Sequence, residues 1–172
     1  PNRASPAGFS PNHKMTNLEL SSRLSELGAK LIVETIPKWL MGEIKPMPQD
    51  ESKATYSKIL KKDDGRIDWS KSAENIERQI RAFTPWPGSF TFWQRGEKEV
   101  KLELLEASVT KDADFQSNSA LGAVFIKDKR LFIKNGAGYL EVLRIQPEGR
   151  KEMTVIEFIN GYGDIDRTIL KA

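Results

Sequence analysis

The chain has 172 residues, 38% of them hydrophobic and 30% charged, which is typical of a globular protein that buries a sizeable core. It contains no cysteine, which excludes disulfides, thiolate nucleophiles and zinc–cysteine sites. The net charge of +3 permits a polyanion partner without requiring one, and no apolar run reaches the roughly 20 residues that span a bilayer.

The single histidine, His13, lies in residues 1–15, a stretch rich in proline, serine and asparagine. Such a stretch cannot bury enough apolar surface to order itself, so we predict a disordered tail. The folded part would then contain neither histidine nor cysteine. Acid–base or nucleophilic chemistry would fall to carboxylates, lysines, serines or tyrosines, and this argues against a self-contained enzyme.

A long amphipathic helix is predicted over residues 16–42. Thr16 and Glu19 have the spacing of a capping box, leucines then recur on one helical face, and Gly42 stands where a left-handed cap would end the helix. The pattern leaves two partners open for the apolar face. One is the chain's own downstream domain, and the other is a preceding domain of which this is the last helix.

A linker is predicted over residues 43–62, because prolines stand among polar residues there. Within it, residues 55–60 are predicted to form a short strand, followed by a turn at residues 63–65. The second helix is expected over residues 72–83, and its inner face carries three apolar side chains: Ile76, Ile80 and Phe83.

Residues 84–88 read Thr-Pro-Trp-Pro-Gly. Each proline fixes its own φ and keeps the residue before it out of the helical region, so the segment predicts a stiff corner that aims a strand.

Everything after Gly88 is typical of strands. The apolar alternation of residues 100–109 breaks phase at Leu105, which indicates a bulge, and turn signals stand at residues 128–129 and 135–138. Thr154 and Glu157 form a second capping box, which opens a short helix expected to end at Gly161. Regular turns between short strands favour a small antiparallel barrel or a sandwich. We predict a barrel that carries one inserted helix and a short terminal helix.

Metal and nucleotide sites are not predicted. The two glycines of residues 135–138 have no helix behind them and are better explained by a hairpin. Carboxylate pairs stand in turns without a calcium-binding pattern, and we interpret them as solvated: Asp63 with Asp64, and Asp112 with Asp114.

Basic residues are concentrated in two segments of the sequence. Residues 58–66 hold four basic and two acidic side chains, and Arg150 with Lys151 precedes the last helix. From the residues alone a solvated surface is favoured over phosphate contact. Three tryptophans beside turns are favoured as core residues over base-stacking platforms: Trp69, Trp86 and Trp93.

Five motifs, taken together and in order, resemble the C-terminal half of the methionyl-tRNA formyltransferase family: residues 54–56, 64–69, 81–88, 146–151 and 157–161. Upstream, residues 28–32 and 48–51 match the same family, so the resemblance covers about residues 16–170. The tail does not match.

The resemblance implies an OB-like Greek-key barrel over residues 63–172, preceded by the last helix of a transferase domain and by the linker. In that family the N-terminal domain binds 10-formyltetrahydrofolate and carries the catalytic residues, and the enzyme formylates initiator methionyl-tRNA in translation initiation. The barrel presents a basic surface to the tRNA. This chain is therefore expected to be a monomeric tRNA-binding part without a catalytic residue or a cofactor of its own, and without a membrane contact.

The resemblance shifts the interpretation of the basic clusters toward phosphate contact. The residues it implies are Lys58, Lys61, Lys62 and Arg66 on the connector, Arg150 and Lys151 after the proline-containing strand and, with less support, Arg78 and Arg81 on the second helix. Other readings stay open: the barrel of a formyltransferase acting on a sugar nucleotide, the barrel of a formyltetrahydrofolate dehydrogenase, or a protein-interaction module without RNA. The expected compartment is the bacterial cytoplasm, or a mitochondrion or plastid in a eukaryote.

Overall fold

The computed structural model describes residues 14–110 and 119–172. The predicted tail falls almost entirely outside these residues, as do Asp112 and Asp114. The chain divides into two compact units, Pro1–Leu60 and Lys61–Ala172.

Helix α1, Asn17–Leu40, dominates the first unit. Its predicted capping box is confirmed, because Glu19 N donates to Thr16 Oγ1 at 3.3 Å and Thr16 N donates to Glu19 Oε2 at 2.9 Å. Beyond the helix, Gly42 adopts the left-handed conformation expected of it, with a φ of 73°. None of the residues of α1 is buried, so its apolar stripe is exposed.

The strand predicted over residues 55–60 is wrong. The structure has a short 3₁₀ helix, Glu51–Lys53, followed by an extended segment without strand pairing. Tyr56 and Ile59 are 90% and 87% exposed, so the apolar positions that suggested a strand face solvent. A strand requires a hydrogen-bonded neighbour, and alternation over so few residues does not provide one.

The second unit is built on an antiparallel sheet. Within the described residues six strands run in the order β1-β2-β5-β4-β3, and β6 pairs with β5. The strands are β1 Phe90–Arg95, β2 Lys98–Thr110, β3 Val124–Lys127, β4 Arg130–Asn135, β5 Gly138–Pro147 and β6 Met153–Thr154. The predicted antiparallel β architecture with helices is thus confirmed.

Local turn chemistry sets the register of the sheet. Asp128 and Lys129 both have positive φ, of 53° and 59°, which is the backbone of a two-residue hairpin joining β3 to β4. The predicted hairpin at residues 135–138 pairs Asn135 with Gly138. The predicted bulge is also confirmed, because the pairing of β2 with β5 shifts between Leu104 and Glu106 and leaves Leu105 out.

The C-terminal residues join the two outer strands of this sheet. Lys171 exchanges backbone hydrogen bonds with Phe92 of β1, at 2.8 and 3.3 Å. On the other side, Leu170 N donates to Gly122 O at 2.9 Å and Ile169 bridges to Ala123, just before β3. The sheet therefore curls toward a barrel, and the segment satisfies strand edges that would otherwise be unpaired.

Two helices accompany the sheet. Helix α2, Ala73–Phe83, is capped by Ser72 and contributes buried Ile76 and Ile80 to the core, whereas Phe83 is half-buried. Helix α3, Val155–Tyr162, has the predicted capping box at Thr154. It does not end at Gly161 as predicted but one residue later, because Gly161 keeps a helical backbone and does not adopt the left-handed conformation of a terminating glycine.

Candidate nucleic-acid interface

The interface begins at the turn that presents Arg66. A 3₁₀ helix, Lys62–Gly65, starts where Asp64 Oδ2 accepts a hydrogen bond from Lys61 N at 2.8 Å. Asp64 is thus a capping residue. After the turn, Ile67 N donates to Phe90 O at 2.9 Å, which ties the backbone beside Arg66 to strand β1. Lys61, Lys62 and Arg66 are all exposed.

The proline-rich corner, residues 84–88, packs closely against this turn. A Cβ added at Gly65 would overlap the backbone oxygen of Gly88, so only glycine allows the two turns to pack this closely. Gly88 itself has a φ of 80°, and its N–H donates to Phe83 O at 2.9 Å. Strand β1 begins two residues later, so the stiff corner predicted from the prolines does lead directly into a strand.

Two aromatic rings on the outer face of β1 hold two cations. The rings of Phe90 and Phe92 meet edge to face at 5.7 Å. The Arg66 guanidinium lies 5.2 Å from the centre of the Phe92 ring, and Lys101 Nζ lies 4.1 Å from the centre of the Phe90 ring. At these distances a cation is attracted to the face of an aromatic ring, and this attraction holds both positive groups above one face of the sheet.

The turn that carries Arg150 adjoins the same strands. Pro147 of β5 pairs with Leu102, and Glu148 N donates to Lys101 O at 2.9 Å. The turn is closed by Gln146 Nε2, which donates to Arg150 O at 2.9 Å. Arg150 and Lys151 are exposed beyond it. The carbonyl of Lys101 therefore ties the second basic cluster to β2, the neighbour of the strand that holds Arg66.

The structure thus brings together some predicted residues and separates others. Arg66 lies over β1 and the Arg150 turn follows β5, and β2, which carries Lys101, lies between these two strands. Arg78 and Arg81 belong to α2, whose Ile76 and Ile80 join the core and whose Gln79 Nε2 donates to the backbone oxygens of Gly65 and Arg66 at 3.3 and 3.4 Å. Arg81 is also half-buried and paired with Glu77. Lys58 is exposed and belongs to the first unit.

Acidic side chains reduce the net positive charge of this face. Glu103 pairs with Phe90 across the ladder and so lies on the same side as Lys101. Asp68, two residues after Arg66, accepts hydrogen bonds from Ser70 Oγ at 2.6 Å and from Ser70 N at 3.0 Å. These bonds lower the pKa of Asp68, so this carboxylate stays ionised near neutral pH.

Sequence reasoning missed Lys101. A usable signal was present, because Val100, Leu102 and Leu104 alternate at period two and the residues between them must face the other side. The partner on β1 could not be read from the sequence, since the Phe92–Lys101 register depends on the hairpin between the strands.

The tryptophans divide between two roles. Trp69 and Trp93 are 2% and 1% exposed and belong to the core, which confirms the packing interpretation for both. Trp69 Nε1 donates to Thr91 Oγ1 at 3.2 Å, so its polar end is satisfied. Trp86 is 57% exposed and contradicts that interpretation, because its corner turns the ring away from the core.

Other classes of site find no support in the described part of the chain. It contains no group of three or more histidine, aspartate or glutamate side chains that could hold a metal ion. Among the same residues, no helix is both long enough and apolar enough to cross a membrane.

Comparison with known proteins assigns the family. Residues 59–163 match the family described as "Formyl transferase, C-terminal domain", and the chain belongs to it. The methionyl-tRNA formyltransferase of Chloroflexus aurantiacus is 39% identical over 145 residues, covering 83% of this chain and 44% of that protein. That of Treponema denticola is 44% identical over 121 residues, covering 68% of this chain and 36% of that protein. The chain thus spans less than half the length of these relatives.

The fold also resembles a solved structure. A variant of HypX from Aquifex aeolicus superposes with a TM-score of 0.59 at 15% sequence identity, over 88% of this chain and 27% of that chain. At this identity the likeness concerns the fold alone.

Proposed function

We propose that the chain is the C-terminal, tRNA-binding part of a methionyl-tRNA formyltransferase, with the second unit as its OB-like Greek-key barrel. In the complete enzyme the barrel would hold initiator methionyl-tRNA while an N-terminal transferase domain moves the formyl group from 10-formyltetrahydrofolate. This chain would bind the tRNA backbone and would not catalyse by itself. The identity to methionyl-tRNA formyltransferases, which spans most of this chain, supports the assignment. We also propose a cytoplasmic compartment and a monomeric state.

One observation carries the proposal: cations from separate parts of the sequence lie over adjoining strands. Arg66 precedes β1, Lys101 belongs to β2, and the Arg150 turn follows β5. Neighbouring strands are about 4.8 Å apart, so a strip three strands wide spans roughly 10 Å. Consecutive phosphates of an RNA strand can meet such a strip. The aromatic rings keep Arg66 and Lys101 in place, which lowers the entropy lost on binding.

Binding of this kind is electrostatic. Neutralising phosphates releases condensed counterions, so affinity falls steeply with salt and depends little on base sequence. Lys61 and Lys62 would extend the strip at its start, and Lys58, which belongs to the first unit, is proposed as a phosphate contact in its own right. Arg78 and Arg81 would contribute less, since Arg81 already pairs with Glu77. Selection of the initiator species would rest with the other half of the enzyme.

The first experiment measures binding of labelled initiator tRNA to the chain across a salt series. We expect micromolar affinity at low salt and release as salt rises. Lys101→Ala and Arg66→Ala should each reduce the salt slope by about 1. The matched control is Lys127→Ala, which removes the same charge from β3 at the opposite edge of the sheet and should leave the slope unchanged. Equal effects from Lys127→Ala and Lys101→Ala would contradict a defined interface.

The second experiment replaces Lys58, Lys61 and Lys62 together by alanine. Because these side chains are assigned to phosphates, the variant should bind initiator and elongator tRNAs more weakly by the same factor. A loss confined to the initiator species would contradict that assignment. If the wild-type chain binds no tRNA at low salt, the RNA function fails, and a protein-interaction module or the barrel of a sugar-nucleotide formyltransferase takes its place.

A further inference from the structure

Trp86 is an exposed aromatic residue outside the proposed strip of cations. Its side chain is 57% exposed, against 2% and 1% for Trp69 and Trp93. Covering such a ring would be favourable, so Trp86 offers apolar area to a partner. Exposure alone does not identify that partner, and the backbone and the charges around the ring carry the argument.

The backbone that carries Trp86 has little freedom. Pro85 and Pro87 flank it and fix their own φ angles. Thr84 anchors the start of the corner to α2, since its N and Oγ1 both donate to Ile80 O, at 3.1 and 2.7 Å. Gly88 N anchors the end by donating to Phe83 O at 2.9 Å. A rigidly presented ring loses little entropy when it is contacted, as is typical of aromatic residues in binding sites.

The surroundings of this corner favour a polyanion. The corner packs against the turn of Gly65, where the two backbones meet at Gly88. The same turn exposes three basic side chains, Lys61, Lys62 and Arg66, against one exposed acidic one, Asp63. Glu103 also lies against Gly88, so the corner adjoins more positive than negative side chains. A protein partner would be drawn by an apolar patch, whereas the described residues of this turn are mostly charged. An aromatic ring beside a track of cations is the pattern of sites that bind unpaired nucleotides.

We propose that Trp86 stacks on an unpaired nucleobase of the RNA whose phosphates contact Lys61, Lys62 and Arg66. This inference rests on the proposed tRNA binding and adds a base contact to it. Stacking depends on the ring and not on base identity, since every base has a π face, so the contact would add affinity with little sequence preference. A folded tRNA offers such bases in its loops and at its single-stranded 3′ end.

The test combines an optical signal with a substitution series in the full chain. Trp39→Phe first removes the other exposed tryptophan, which is 61% exposed, so that quenching reports mainly on Trp86. Two probes are titrated: unmodified tRNA, and inorganic polyphosphate, which carries negative charge but no base. We expect tRNA to quench the emission and polyphosphate to bind without comparable quenching.

Affinity gives the second readout. Trp86→Ala should weaken tRNA binding roughly five- to hundred-fold and polyphosphate binding by less than about twofold. Trp86→Phe, which keeps a ring, should retain most of the tRNA affinity. Trp39→Ala, a tryptophan deletion of the same size in α1, should change neither. Circular dichroism and thermal melting of each variant establish that the fold is kept.

Several results would overturn the inference. Unchanged tRNA affinity in Trp86→Ala, or equal quenching by polyphosphate, would leave the proposed function standing and remove the stacking contact. Equal weakening of tRNA and polyphosphate would assign Trp86 a purely structural role at the corner. Unchanged tRNA affinity together with lost association to the N-terminal half of the Chloroflexus aurantiacus relative would assign the ring to a protein contact. If the wild-type chain binds neither probe, the proposed function itself fails.

Discussion

The two faces of β1 and β2 are made from alternating residues of the same strands, yet they differ in nearly every physical respect. The inner face carries Trp93, Leu102 and Leu104, each at most 1% exposed and part of the core. The outer face carries Phe90 and Phe92 with Lys101 and Arg66 over their rings. Neighbouring residues such as Lys101 and Leu102 are therefore assigned to different tasks, one to binding and one to stability.

From this difference we expect substitutions on the two faces to change different properties, the free energy of unfolding on one and the affinity on the other. Changes on the inner face should alter the free energy of unfolding, because they remove buried apolar contacts. Changes to the two cations over the outer face, Arg66 and Lys101, should alter affinity and leave stability nearly intact, whereas the Phe90 ring beneath Lys101 is itself only 5% exposed. Substitutions on each face, and at the turns beside them, can test that separation.

Leu102→Ala should lower the free energy of unfolding by about 2–5 kcal/mol. Leu102 is 1% exposed, and deleting its methyl groups would lose transfer free energy and leave a cavity. Urea denaturation followed by circular dichroism measures the change. A loss below about 1 kcal/mol would mean that the inner face does not form the core.

Gly65→Ala should destabilise the second unit by about 1–3 kcal/mol, because the added Cβ overlaps the Gly88 oxygen and the two turns must separate. The same movement displaces Arg66, so tRNA affinity should also fall. Thermal melting and the salt-series binding assay measure the two effects. Gly28→Ala is the matched control: no atom lies within 4 Å of its Cβ position in α1, and alanine favours a helix. Comparable losses from both variants would argue against close packing of the turns.

A different part of the outer face, on β4 and β5, is assigned a structural role. Glu141 accepts two hydrogen bonds of 2.6 Å from Arg130, and the Glu141 side chain is only 11% exposed. These bonds lower the pKa of Glu141 below the ordinary value of 4.5 despite its partial burial. Glu141→Gln should therefore lower the free energy of unfolding at pH 7 by about 1.5 kcal/mol.

The pH dependence of this variant follows from the direction of the shift. A lowered pKa in the folded state contributes stability above pH 4.5, and that contribution disappears as the pH falls through the pKa of the folded protein. The difference between wild type and Glu141→Gln should shrink on acidification, as measured by urea denaturation between about pH 7 and pH 3. A difference that stays constant over this range would show that the ion pair does not set the pKa of Glu141.

Lys101→Ala should have the smallest effect on stability, about 0.5–1 kcal/mol, because a half-exposed cation–π contact contributes little. Urea denaturation measures it directly against Leu102→Ala, the adjacent residue on the other face. Losses of similar size at the two positions would abolish the distinction between a stabilising face and a binding face.

Local features of the fold were predictable from the sequence. The capping boxes at Thr16 and Thr154, the hairpin at Asp128 and the bulge at Leu105 each depend on residues within a few positions of one another. The strand expected over residues 55–60 failed for the complementary reason, since pairing needs a distant neighbour that alternation does not reveal. The exposure of Trp86 likewise depends on how its corner is anchored, and the tryptophan itself carries no sign of it.

The amino-acid sequence alone was enough to place the three α-helices, the turns, the basic clusters and the stiff proline corner, because backbone geometry, capping and turn preferences act over short separations. It did not reveal that Lys101 lies between Arg66 and the Arg150 turn, that α2 contacts the Arg66 turn through Gln79, or that the C-terminal residues join β1 to the region before β3. Those relations depend on strand order and register, which long-range pairing and burial select from many locally acceptable arrangements.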